Sequence, residues 1–199
     1  MLKIYIYFLI SILIHEISHI IIGKKYKITL KNLRVSIFGA SIEIDGMKKN
    51  KTKEKILMYV SGPLSNFVIA IIFNFIKIPI EEKMKIIYIN LSLGMFNLLP
   101  IIPLDGGNIL KEIIKIKYNN IDANKISLLI SKICLSILVF TYSVAIIKIK
   151  NISILILIVY LVYLNLVEER KIKLLERTQK IISKNSNLQV LEKRKKILQ

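Results

Sequence analysis

His15-Glu16-Ile17-Ser18-His19 sets two imidazoles four residues apart with a carboxylate beside the first, and the chain has no other histidine. On a helix of about 3.6 residues per turn, a separation of four brings both rings to one face, where they can share a metal ion. The pattern suits zinc, which imidazole nitrogens bind at about 2.0–2.1 Å, and leaves Glu16 placed to act as general base on a zinc-bound water. Five residues match by accident easily. Here, however, they lie inside the apolar run Ile4–Ile22, where a Glu and two His are costly to bury unless partnered and are functional by default. The competing reading, a polar patch for helix packing, does not explain why both histidines fall in one motif.

A catalytic zinc takes three protein ligands and keeps one position open. No further histidine exists, and the single cysteine, Cys134, sits in an apolar run and reads as a small buried hydrophobe. The third ligand is therefore sought among carboxylates near other spans, and Asp105 is the candidate. It follows Asn97-Leu98-Leu99-Pro100-Ile101-Ile102-Pro103-Leu104 and precedes Gly106-Gly107. Two prolines in four residues break a helix and paired glycines allow a sharp bend, so Asp105 can turn inward from irregular backbone. Such backbone is tolerated at membrane depth only inside protein or along a wet cavity. Taken alone, the segment could equally be a plain helix end. Taken with the topology, Asp105 and His19 fall at the same ends of their spans and can meet.

The elements that must position these residues follow from the composition. Of 199 residues 54% are hydrophobic and mean hydropathy is +0.56, yet Lys and Arg number 31 against 13 Asp and Glu. Apolar runs with charges clustered between them describe a polytopic membrane protein, each span needing about 20 residues. Five runs qualify: Ile4–Ile22, Ile56–Ile76, Ile86–Leu104, Ile126–Ile147 and Ile152–Val167. The first has no cleavage site and carries the motif, so it reads as a span and not as a signal peptide. Between the first two spans, apolar residues recur at alternate positions (Ile28 and Leu30; Leu33, Val35 and Ile37; Ile42 and Ile44), with Gly39-Ala40 at a turn. Period two predicts a small β element over about 26–46. The expected fold is thus all-α and polytopic, with about five transmembrane helices and a small β element between helices 1 and 2. One cysteine excludes an intrachain disulfide.

Basic residues mark the cytosolic side of a membrane protein. Residues 23–55 hold ten, 105–125 four and the tail after Val167 ten, against six on the other side. The N-terminus is therefore expected outside, with the C-terminus and the opening of the site in the cytosol. The same bias accounts for most of the +18 net charge, and anionic lipid headgroups account for the rest more simply than nucleic acid does.

These residues resemble the site-2 type intramembrane zinc metalloproteases, peptidase family M50. The likeness rests on His15-Glu16-x-x-His19, on the Asn97–Asp105 segment with its Leu-Asp-Gly signature, and on Ser61-Gly62-Pro63-Leu64-Ser65-Asn66, which looks like the family's Gly-Pro-x-x-Asn element. It covers a three-span core over residues 1–117, to which 118–167 would add two helices and 168–199 a basic, helical cytosolic tail. The resemblance implies one zinc held by His15, His19 and Asp105, with Glu16 activating water and Asn97 holding substrate or an oxyanion. Gly62, Pro63, Asn66 and Gly106 are supporting positions, although Gly62-Pro63 reads first as a kink and close helix packing. The β element would receive an extended substrate as an added strand.

Within the family the chain looks most like the sporulation branch, typified by stage IV sporulation protein FB. That implies a membrane-tethered protein substrate, in this branch a sigma-factor precursor, and membrane inhibitor or regulatory proteins as further partners. The chain starts almost at the catalytic span, and its tail is too short for a nucleotide-sensing CBS domain, so regulation by ATP through such a domain is not expected. A site-2 protease of another membrane substrate and a non-catalytic scaffold of the same fold are the alternatives.

Overall fold

A computed structural model describes the backbone of residues 2–28, 30–36, 39–44, 52–149 and 152–197, and the side chains of 2–28, 52–143 and 154–182. Its helices are α1 (Leu2–Lys25), α2 (Thr52–Phe75), α3 (Ile80–Asn97), α4 (Asp105–Ile114), α5 (Asn120–Ile149) and α6 (Ile152–Ile197). The helix α2 lies at the centre, packed on α1, α3 and α4, while α5 packs on α4 and α6. Large apolar side chains such as Leu9, Leu13, Ile17 and Ile21 on α1 are exposed, whereas polar Ser11, His15 and His19 of the same helix are buried. That distribution inverts the soluble pattern and is what a lipid solvent demands.

Among the described residues three helices are long and apolar enough to cross a membrane: α1, α2 and the Asn120–Ser143 stretch of α5. The expected fold class of five spans is corrected accordingly. The third expected span starts earlier and carries Glu81, Glu82, Lys83 and Lys85 in its first turns, and its last residues, 98–104, are not helical. The fifth has only Ile152–Val167 before Glu168, Glu169 and Arg170, and these charges continue in the same 46-residue helix, α6. Between α1 and α2 the backbone forms one antiparallel pair, β1 (Leu30–Ser36) with β2 (Gly39–Ile44), in which Ser36 faces Gly39. The side chains of 29–51 lie outside the described residues, and so does the expected seating of an extended substrate on this pair.

Residues 98–104, which link α3 to α4, are irregular yet pack deeply. Ile101 is buried with Leu135 of α5 and Leu161 of α6, with Phe96, Leu99, Leu104, Cys134 and Leu138 against them. Two glycines let α4 start directly on this loop. A Cβ at Gly106 would overlap the Leu98 carbonyl, and one at Gly107 would stand 2.6 Å from the Ile101 carbonyl, so only glycine permits the contact. At the far end of α4, the carboxylate of Glu112 is buried between Lys55 of α2 (3.5 Å) and Lys115.

Candidate metal centre

Three elements converge on one point. The helix α1 presents His15 and His19 on consecutive turns, α4 presents Asp105 in its first turn, and α2 forms the wall between them. The Nε2 atoms of the histidines are 3.2 Å apart, and Asp105 Oδ2 lies 3.1 Å from His15 Nε2 and 3.2 Å from His19 Nε2. Donors about 2.0–2.1 Å from a tetrahedral zinc are separated from one another by about 3.3–3.4 Å, so the triangle has the size of a zinc site.

The outer nitrogens strengthen the fit. His19 Nδ1 is 2.7 Å from the Met58 carbonyl, which can only accept, so Nδ1 carries the proton. For His15 the same assignment passes through two amides. Asn90 Nδ2 donates to the Ile86 carbonyl (2.9 Å), so its Oδ1 accepts from Asn66 Nδ2 (3.0 Å), and Asn66 Oδ1 accepts from His15 Nδ1 (2.6 Å). Asn66 Nδ2 also faces the Ser11 carbonyl at 3.4 Å. With Nδ1 protonated, each ring in its neutral form turns an Nε2 lone pair toward the other and toward a carboxylate oxygen. Three acceptors at this spacing repel one another unless a cation lies among them. The residues therefore fit a divalent metal with nitrogen and oxygen ligands.

The wall of the site is set by Gly62. A Cβ there would lie 2.6 Å from His15 Nε2 and closer still to His19 Nε2, overlapping both rings. The sequence favours a kink and close packing at Gly62-Pro63, and the structure adds that Gly62 lies directly against the Nε2 atoms of both histidines. Pro63 is buried in the interior of α2 and has no N–H for the Tyr59 carbonyl one turn earlier. Ser61 Oγ joins His19 at the Met58 carbonyl, donating to it at 2.6 Å.

Of the residues singled out from the sequence, His15, His19, Asp105, Gly62 and Asn66 are brought together. Glu16 stands half-buried on α1 beside His15, and Gly106 underlies the ligand loop. Asn97, the last residue of α3, is half-buried and donates one amide hydrogen to the Leu93 carbonyl (3.0 Å); among the described residues no hydrogen bond joins it to the three ligand candidates. Asn90 was missed. Its signal was available, since an amide inside an apolar run of a membrane chain needs an internal partner.

Comparison with known proteins supplies the family. The family model described as Peptidase family M50 matches residues 3–82 and 83–141. A zinc metalloprotease of Methanocaldococcus jannaschii is 31% identical over 136 residues, 64% of this chain and 39% of that protein. Stage IV sporulation protein FB of Bacillus subtilis is 28% identical over 106 residues, 51% of this chain and 37% of its own length. The matches thus span well under half the length of these curated relatives. Among solved structures, the site-2 protease from Methanocaldococcus jannaschii superposes with a TM-score of 0.66 at 26% identity, covering 82% of this chain and 76% of that one.

Proposed function

Because the chain belongs to peptidase family M50, we propose that it is a zinc-dependent intramembrane protease that cleaves a membrane-tethered protein at the cytosolic side of the bilayer. The observation that carries the reading is the convergence of His15 Nε2, His19 Nε2 and Asp105 Oδ2 with both Nδ1 atoms already committed elsewhere. One zinc per chain would be held by these three groups, and when bound it lowers the pKa of its water towards about 7 and polarises the scissile carbonyl. Glu16, next to His15, takes the proton from the attacking water and hands it to the leaving amine nitrogen. Asn97 has a second amide hydrogen to offer the oxyanion of the tetrahedral intermediate. The substrate must unwind at the scissile bond, since a helical peptide keeps its carbonyl within its own hydrogen-bond ladder.

The excess of basic residues in 23–55, 105–125 and the tail places the N-terminus outside and the C-terminus in the cytosol in this reading, with the tail attracted to anionic lipids. Similarity to stage IV sporulation protein FB supports a sigma-factor precursor as substrate and membrane inhibitor or regulatory proteins as partners. The test is co-expression with a tagged sigma-factor precursor from the same genome, beside the Glu16→Gln variant. A shorter product with wild type alone, with zinc retained by both, is expected. Normal cleavage by Glu16→Gln removes the assigned base, and absence of product from zinc-loaded wild type removes the sigma-factor assignment.

A further inference from the structure

The ligand loop is gripped by helices that hold no part of the metal centre. Ile102, three residues before Asp105, donates its backbone N–H to Ser131 Oγ of α5 (2.9 Å), and its carbonyl accepts from Asn165 Nδ2 of α6 (2.5 Å). Ser131 Oγ in turn donates to Asn165 Oδ1 (2.6 Å), closing a ring, and Asn165 Nδ2 spends its other hydrogen on the Leu161 carbonyl (3.1 Å). Ser131 is 0% and Asn165 2% exposed. With both polar backbone groups of Ile102 held, the ring fixes the peptide planes on either side of it. Those planes set where the short run Pro103-Leu104 delivers the Asp105 carboxylate. The Leu104 N–H bonds the Ile101 carbonyl (2.7 Å) and Asn108 Nδ2 bonds the Pro103 carbonyl (2.9 Å), so little slack remains between ring and ligand.

We propose that Ser131 and Asn165 are positioning residues for Asp105, acting through the backbone of Ile102, so that α5 and α6 complete the metal centre without touching it. The proposal rests on the reading of Asp105 as a metal ligand. Packing alone would need no such arrangement. Ser127, one turn earlier on α5 and equally buried, spends its hydroxyl on Asn124 of its own helix and leaves the loop alone.

The test uses the full chain in detergent, stripped and reloaded with Zn2+ or Co2+. Zinc affinity is measured by competition with a chelator, and the visible absorption of bound Co2+ reports its ligand set. Ser131→Ala and Asn165→Leu are compared with Ser127→Ala as the packing control and His19→Ala as the ligand control. Expected are a roughly 10- to 100-fold loss of zinc affinity and an altered Co2+ spectrum for the first two variants. Ser127→Ala should match wild type in both. Should Asn165→Leu fail to accumulate, Ser131→Ala decides the matter, since it removes a single hydroxyl. If His19→Ala loses zinc while Ser131→Ala binds Zn2+ and Co2+ as wild type does, the positioning role is overturned and the metal centre stands. If His19→Ala itself binds zinc normally, the metal reading falls first.

Discussion

His15 and His19 stand on consecutive turns of one regular helix, whereas Asp105 stands at the start of a short helix, behind seven residues that follow no regular pattern. The two sides of the centre are oriented by different means. On the histidine side, helical periodicity sets the spacing, and the outer nitrogens are held by groups on α2, with α3 behind them. On the aspartate side nothing periodic sets the position. The loop is pinned by glycine contacts beneath it, by a buried ion pair at the far end of α4 and by the polar ring from α5 and α6. A regular element needs few outside contacts to aim a side chain, and an irregular one needs many.

The largest effect that bears on this contrast is expected at Gly62. Gly62→Ala should abolish stoichiometric zinc binding while the protein still accumulates in membranes, because the new methyl overlaps both Nε2 atoms and pushes the rings out of place; metal analysis of purified protein checks it. On the aspartate side, Glu112→Ala leaves Lys55 and Lys115 without their shared carboxylate. It should cost about 3–5 kcal/mol, read as a lowered melting temperature in detergent. Equal zinc affinity in that variant once folded would show that α4 needs no anchoring at its far end.

Asn66→Leu should weaken zinc binding roughly 10- to 100-fold by releasing His15 Nδ1. Asn90→Leu should do the same more weakly, being one bond further out. A chelator titration that ranks them in reverse would break the order of the relay. The smallest effect belongs to α6 beyond its apolar stretch. Hydrogen bonds from Lys132 and Lys173 hold the Glu169 carboxyl down to about 2. A lowered native value stabilises above the unfolded pKa, near 4.3, and the contribution fades as pH falls towards about 2. The slight difference in melting temperature between wild type and Glu169→Gln should therefore be full at neutral pH and shrink on acidification.

The histidine side was open to reading because its information is local: two ligands and a base within five residues, inside an apolar run. Asp105 was found by its neighbours, since prolines and glycines declare where a helix stops and a carboxylate there has few other uses. What holds each side was less legible. Asn66 belonged to a recognisable element, but Asn90, Ser131 and Asn165 lie 24 to 63 residues from their partners and only the fold brings them together. Apolar content alone gives too many spans, because charges at the start of α3 and after Val167 of α6 cut two of the apolar runs short.

Gly62 also bears on how freely each position can change through generations. A metal ligand has substitutes, since histidine, carboxylate and thiolate can each donate an electron pair to zinc and a site can drift from one set to another. A wall made of a missing side chain has none, because every other residue type begins with the Cβ that this space excludes. Gly62, like Gly106 under the ligand loop, therefore has little latitude to vary although it gives the metal no electron pair at all.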